Sequence, residues 1–238
     1  MRRSVKCAAF ALLFLPWCAD AQPAANLIPS LERLAASDNA EAIYYLGMAF
    51  QTGSGLPKSP AKAFEAFRRA AALGDVLASY KLGCFYSGQE GDLVEKNPEL
   101  ALRYKLVAAE AGYALAQQDV AALYAAEGEI PIALAWLEKA AAQGWSDALG
   151  TYASVHNGAH GVAPDPVKTA AYFRLFLDRG ESSPKQRQWL KEFERGLSAG
   201  ERQRADEIVR SFRPAPTALT LRALSGERAA MKLIARQP

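Results

Sequence analysis

Four prolines, each followed at a nearly constant distance by a glycine, constrain this chain more than any other feature of its sequence. The prolines lie at positions 60, 98, 131 and 166 and the glycines at positions 74, 112, 144 and 180, so the separations are 14, 14, 13 and 14 residues. Three prolines follow Ser59, Asn97 or Asp165, whose side-chain oxygens suit a helix N-cap with proline in the first turn. A glycine some four turns later marks a left-handed helix end. The spacing predicts four helices of similar length, one in each of four repeats.

A second periodic set predicts another helix in each repeat. Ala42, Ala78, Ala116 and Ala148 recur at intervals of 36, 38 and 32 residues. Mostly apolar residues follow each alanine at i+4 and i+8, on one helix face, and a small residue such as Gly47 beside that face lets another helix approach closely. Helices of about 12 residues are marginal alone in water. Each pair must therefore bury its apolar face against the next pair, which predicts an α-solenoid of helical hairpins.

The composition favours the same all-α fold class. The chain of 238 residues has 48 Ala and 28 Leu, against 9 Val, 6 Ile and 5 Thr. Residues that favour pleated sheet are thus scarce, and the strongest helix formers dominate.

The combined pattern A-x-x-x-L-G-x-x-[FY], a loop with glycine, A-x-x-[FWY] and K/R-A-A-x-x-G resembles the Sel-one-like repeat, a relative of the tetratricopeptide repeat. The best matches run over 42–74 and 78–112, and the resemblance covers about 40–181. The third repeat has lost most of its loop, and the fourth has Tyr152 and His156 where Leu and Tyr are usual. The resemblance implies a right-handed α-solenoid of about four hairpins, of an exported bacterial type, that presents a surface to another protein.

The flanking segments are predicted to cap the repeats. Residues 22–39 form an N-terminal capping segment, and residues 182–213 form two C-terminal helices whose starts at Ser183 and Ser198 have the sequence of capping boxes. Residues 214–238 are predicted to be a basic, loosely ordered tail. The alternative is a tail that docks on an acidic partner or a membrane surface.

Residues 1–21 have the features of an export signal. Three basic residues precede an apolar run over 7–18, which is shorter than the roughly 20 residues needed to cross a bilayer. The small residues around 19–21 predict cleavage before Gln22, and an uncleaved anchor is the competing interpretation. We therefore expect a periplasmic or, as second choice, a secreted protein, without stable membrane insertion after cleavage.

Charge and cysteine content narrow the function further. Removal of Arg2, Arg3, Lys6 and Asp20 with the signal leaves 25 basic and 24 acidic residues of the original 28 and 25. This balance does not favour nucleic-acid binding, which depends on a positive field. Cys84 is the one cysteine left after cleavage, so a mature monomer has no internal disulfide, and we expect Cys84 to be buried or groove-lining.

One set of short matches resembles the motifs of penicillin-recognising enzymes. Ser59–Lys62 fits S-x-x-K, Ser37–Asn39 fits S-D-N and Lys168–Ala170 approaches K-T-G, but their order is reversed and no strand is predicted. His156 and His160 are predicted to be incidental loop residues, so we expect no metal and no cofactor. The favoured function is a non-catalytic, monomeric scaffold or adaptor. The alternatives are an envelope hydrolase or β-lactam-binding protein, and a self-assembling structural protein.

The predicted protein-binding groove follows from the helix register. In tetratricopeptide-like stacking the first helices line the concave surface, and residues two positions after the core-facing ones point away from the hairpin core. These residues are Tyr44, Met48, Tyr80, Cys84 and Gln118. Tyrosine and methionine are side chains that interfaces favour. The alternative is that Tyr44 and Tyr80 only cover the adjacent hairpin.

Overall fold

The computed structural model of the protein describes residues 26–179 and 183–236. Within these ranges the secondary structure consists of α-helices and one short 3-10 turn, with no strand, which confirms the predicted all-α class. The predicted export signal at 1–21 lies outside the described residues. No helix in the described part is long and apolar enough to cross a membrane.

Four helical hairpins form the body of the molecule, as the proline and glycine spacing predicts. The first two are α2 (Ala40–Thr52) with α3 (Pro60–Ala72), and α4 (Val76–Tyr86) with α5 (Pro98–Glu110). The other two are α6 (Ala114–Ala126) with α7 (Ile130–Ala142), and α8 (Ser146–His156) with α9 (Pro166–Arg179). Successive hairpins pack on one another, so the solenoid prediction is confirmed.

Local hydrogen bonds explain where these helices begin and end. The Ser59 hydroxyl accepts from the Lys62 amide at 3.4 Å, and the Asn97 side chain accepts from the Leu100 amide at 2.9 Å. Both bonds satisfy amides in the first turn that have no partner within the helix. At the other end Gly74 adopts φ +93°, a left-handed conformation that suits glycine.

The small residues of the first helices bring the two helices of a hairpin close together. A Cβ added at Gly47 would lie 2.6 Å from a ring carbon of Phe67, and one added at Gly83 would lie 2.6 Å from Cγ of Lys105 and 3.1 Å from the Ala101 carbonyl oxygen. These distances are shorter than ordinary van der Waals contact, so a side chain at either glycine would push the helices apart.

Both ends of the solenoid are covered. At the N-terminal end α1 (Leu27–Ala36) buries Leu31 and Ala35 in the core of the first hairpins. At the other end α10 (Pro184–Arg195) and α11 (Ala199–Ser211) begin with the predicted capping boxes. These helices flank the last hairpin, and Arg174 of α9 pairs with one carboxylate from each of them.

The C-terminal segment differs from the predicted loosely ordered tail at 214–238. It contains two helices, α12 (Ala218–Ser225) and α13 (Glu227–Ala235), and returns along the solenoid from the last hairpin to the first. We call residues 213–236 the strap. Its charges suggest a solvated tail, but its apolar residues also recur with helical spacing and pack into the core, where Ala230 and Leu233 are buried against α1 and α2.

Candidate protein-binding groove

Four of the five predicted groove residues line one cavity at the first two repeats, and Leu115 and Asp119 of the third repeat also border it. Tyr44 and Met48 come from α2, Tyr80 and Cys84 come from α4, and together they border a space of about 350 Å³ that we call the groove. Ala223 of the strap lies on the edge of the same cavity. Residues at equivalent positions of neighbouring repeats therefore line the same cavity.

Gln118, the fifth predicted residue, lies elsewhere. It lines a separate cavity of about 330 Å³ between the third and fourth repeats, with a lining made mostly of alanine and other apolar side chains. Its buried Oε1 has no hydrogen-bond partner among the described residues. The inner stripe is therefore divided into two cavities rather than continuous.

The groove tyrosines are walls of the cavity rather than free side chains. Tyr44 and Tyr80 are each 7% exposed and Cys84 is 4% exposed, whereas Met48 is half-buried. The Tyr80 ring meets the Tyr113 ring edge-on at 5.0 Å. Burial raises the pKa of both Tyr44 and Tyr80, so their hydroxyls stay protonated.

An ion pair is buried beside the groove. Lys105 of α5 is 2% exposed, and its Nζ donates to Asp119 at 2.6 Å and to Gln89 at 2.9 Å. The Tyr80 hydroxyl donates to the same Asp119 carboxylate at 3.2 Å. Sequence reasoning missed Lys105, although its place four residues after the buried Ala101 was a detectable signal.

A second charged cluster holds the strap where the first two repeats meet. Arg222 of α12 donates to Asp75 at 2.5 Å and pairs with Glu41 at 3.2 Å. Its guanidinium lies 5.2 Å from the ring centre of Tyr44 and 5.7 Å from that of Tyr45. Burial alone would lower the pKa of Arg222, but the Asp75 carboxylate outweighs that effect and the net pKa is raised. The sequence analysis placed Arg222 in a solvated tail and did not find this cluster.

Polar contacts fix the strap at the turn between the second and third repeats. The buried Thr220 hydroxyl donates toward Gln143 Oε1 at 2.7 Å and accepts from the Ala114 amide at 3.0 Å. Thr217 Oγ1 donates to the Gly112 carbonyl at 2.9 Å. The strap thus satisfies backbone groups that the end of one helix and the start of the next leave unpaired.

The other residues considered for catalysis or metal binding are Cys84, His156 and Ser59. Cys84 is a free, buried thiol, and burial raises its pKa, which lowers its reactivity. His156 ends α8 and packs edge-on against Tyr152 at 4.5 Å, and burial lowers its pKa. In residues 26–179 and 183–236 no three potential ligands gather as a metal site. Ser59 serves as a helix cap, which accounts for its place in the S-x-x-K match.

Stacked helical hairpins with an inner groove define the class of a solenoid repeat protein. The family model of the Sel1 repeat matches residues 40–75, 76–113, 127–145 and 148–181, which is more than half of the chain. The protein belongs to the Sel1 repeat family, as the resemblance of its motifs implied. Repeat proteins of this kind bind other proteins.

A solved Sel1 repeat structure agrees on the fold. The chain is similar to a Sel1 repeat protein from Oxalobacter formigenes, with 20% identity, a TM-score of 0.63 and 79% of each chain covered. It is also similar to a protective antigen of uropathogenic Escherichia coli strains displaying an SLR fold, with 22% identity, a TM-score of 0.49, and 87% of this chain and 50% of that chain covered. No curated protein matches the chain.

Proposed function

We propose that the protein is an exported, non-catalytic scaffold that binds a segment of another envelope or secreted protein in the groove of the first two repeats. The observation that carries this proposal is the position of the strap. A short helix already lies at the edge of the groove, with Arg222 against Tyr44 and Ala223 on the cavity wall. The surface therefore has the shape and chemistry to receive a helical segment, in the manner of a helix in an apolar groove.

The lining of the groove suits a protein ligand. The half-buried Met48 supplies apolar area, the nearly buried Tyr44 and Tyr80 form the walls, and Lys81 pairs with Glu90 at 2.7 Å on the cavity wall. Aromatic and methionine side chains are enriched where proteins meet, and oriented charges add specificity. Lys81 and Glu90 neutralise each other, and both side chains still have hydrogen-bonding groups that are available to a ligand.

Export is proposed from residues 1–21, with the periplasm as the expected compartment. The basic start, the short apolar run and the small residues before Gln22 support it. N-terminal sequencing of the protein recovered from a cell envelope fraction should give a chain that starts at Gln22. A chain that retains residues 1–21 and sediments with membranes would contradict cleavage.

Affinity capture from an envelope fraction tests the binding surface. Met48→Glu places a charge in the groove, and Ile132→Glu places the same charge on the exposed side of α7, away from the groove. We expect the wild type and Ile132→Glu to capture the same protein and Met48→Glu to lose it, with all three chains showing the same helical circular dichroism. Equal capture by Met48→Glu would contradict the groove as the binding site.

A chromogenic β-lactam and a fluorescent penicillin test the non-catalytic assignment. The purified chain should neither hydrolyse the first nor become labelled by the second, because Ser59 is engaged as a helix cap. Turnover or labelling that is lost in Ser59→Ala would replace the scaffold proposal by the enzyme alternative.

A further inference from the structure

The cluster around Arg222 has two parts, side chains of the first two repeats and the arginine of the strap. We call Glu41, Tyr44, Tyr45 and Asp75 the niche. Asp75 Oδ1 accepts from the Ala78 amide at 2.8 Å as the N-cap of α4, and this bond orients the carboxylate without the strap. The Tyr45 hydroxyl donates to Glu41 at 3.2 Å within α2. The repeats themselves therefore hold the niche in place.

The niche has the chemistry of an arginine site. Two carboxylates face two tyrosine rings, and the Asp75 side chain is only 3% exposed. A planar guanidinium can donate to both carboxylates and stack on the rings at once, which an ammonium group cannot do. Without a cation the buried Asp75 carboxylate would lack a countercharge, so an empty niche is unfavourable.

The helix that carries Arg222 depends on its contacts with the repeats. Helix α12 has eight residues, a length that is marginal without tertiary contacts. Leu221 and Leu224 on its outer side are 50% and 60% exposed, so this helix buries only one face. Pro214 and Pro216 separate it from α11 and give the segment its own starting point.

We propose that the niche is a recognition site for an arginine on a helical segment of a partner protein, and that the strap holds this site in cis until such a segment displaces Arg222. This inference rests on the proposed function and names the chemistry of the partner. The partner segment repeats the features that seat the strap. It presents an arginine, a small residue directly after it in the place of Ala223, and a hydroxyl two residues before it in the place of Thr220.

The test uses the full chain, the alkylation rate of Cys84 as the readout and a synthetic peptide with the sequence of residues 213–236 as the probe. Cys84 and Ala223 line the same cavity, so we expect N-ethylmaleimide to reach Cys84 faster when the strap leaves. Peptide mass spectrometry distinguishes modification of Cys84 from modification of any other residue. The probe contains no cysteine.

In Arg222→Ala we expect Cys84 to react about tenfold faster or more than in the wild type, because hydrogen bonds between charged groups shift an opening equilibrium by at least that factor. Addition of the probe should restore slow alkylation, and a probe with Arg222→Ala should not. Arg228→Ala, which removes an exposed charge from the same segment, should react like the wild type.

Two results would overturn the proposal. One is an unchanged Cys84 rate in Arg222→Ala. The other is a fast rate that neither probe, or both probes equally, slows. If circular dichroism shows that Arg222→Ala is unfolded, Arg222→Lys takes its place, since it keeps the charge but loses the planar geometry, and the same two results decide.

The outcomes also separate this inference from the proposed function. Protection by the arginine probe, together with failure of Met48→Glu to change envelope capture, would leave the niche established and the groove function refuted. Groove-dependent capture that Arg222→Ala neither increases nor decreases, without protection by the probe, would leave the scaffold function and refute the niche.

Discussion

The first two repeats and the last two use the same hairpin for different inner surfaces. In the first two, tyrosine, methionine and cysteine occupy the groove positions, and the strap covers one side. In the third repeat the equivalent positions are Gln118 and Ala122, which line an apolar cavity without strap residues among those described. The residues at these two positions therefore differ between the two inner surfaces.

The two halves differ in electrostatics as well. Asp75 of the first half is almost fully buried within an ion pair, as is Lys105, which pairs across to Asp119 of the third repeat, whereas Arg174 in the second half pairs with partly exposed Glu194 and Asp206. Buried charges are costly unless each partner stays in place, and exposed pairs contribute little. The buried pairs therefore depend on both of their partners more strongly than the pairs of Arg174 do.

The largest loss of stability is expected when the buried pair of Lys105 and Asp119, which joins the second repeat to the third, is broken. Lys105→Ala should lower the free energy of unfolding by about 3–5 kcal/mol, because Asp119 loses its countercharge. Lys139→Ala is the matched control on the second helix of the third repeat, where an exposed lysine lies over Trp136 at 4.0 Å, and it should cost about 1 kcal/mol or less. Denaturant unfolding measures both. Equal losses of unfolding free energy in the two variants would contradict the distinction between buried and exposed charges.

A somewhat smaller effect concerns the close approach of α4 and α5. Gly83→Leu should cost about 1–3 kcal/mol, since even its Cβ would clash with Lys105 and approach the Ala101 carbonyl. Gly200→Leu in α11 is the control, because the nearest atom to a Cβ there is 3.9 Å away, and it should leave the melting temperature nearly unchanged. An unchanged melting temperature for Gly83→Leu would refute the register of the second hairpin.

The strap contact to the repeats gives the next effect. Thr220→Val keeps the side-chain volume but removes the hydroxyl that serves Ala114 and Gln143, so it should cost about 1–2 kcal/mol. Leu221→Ala, on the exposed side of the same helix, should cost less than about 0.5 kcal/mol. Thermal unfolding of the two variants compares them. A larger loss for Leu221→Ala would mean that the helix packs by its other face.

The smallest effect is a pH dependence located in the second half. Burial holds the pKa of His156 below its usual value of about 6.5, so the unfolded state binds the proton more readily. Stability should therefore fall as the pH decreases below about 6.5. In His156→Phe this decrease should be weaker, whereas the exposed His160→Asn should behave like the wild type. Identical pH profiles of melting temperature for all three chains would contradict the assignment.

The parts of the fold that follow from local sequence could be predicted. The cap at Ser59 and the capping box at Ser183 each involve partners within four residues, and a left-handed glycine is required by the helix end itself. Repetition then multiplied these local signals, so the four hairpins followed from one register.

The contacts that depend on distant residues could not be predicted in the same way. Arg222 and Asp75 are 147 residues apart in sequence, and nothing near either residue identifies the other as its partner. In isolation the charges of the strap are typical of a solvated tail. Its apolar residues can be interpreted as buried residues only when the surface of the solenoid that they cover is known.

Amide hydrogen exchange of the full chain measures whether the strap is docked on the first two repeats. Mass spectrometry of peptides from residues 218–235 should show protection comparable to that of α1, because α13 shares a core with that helix. Exchange at the rate of an unstructured peptide throughout 218–235, with α2 and α4 still protected, would show a free tail beside an open groove. That result would contradict a docked strap.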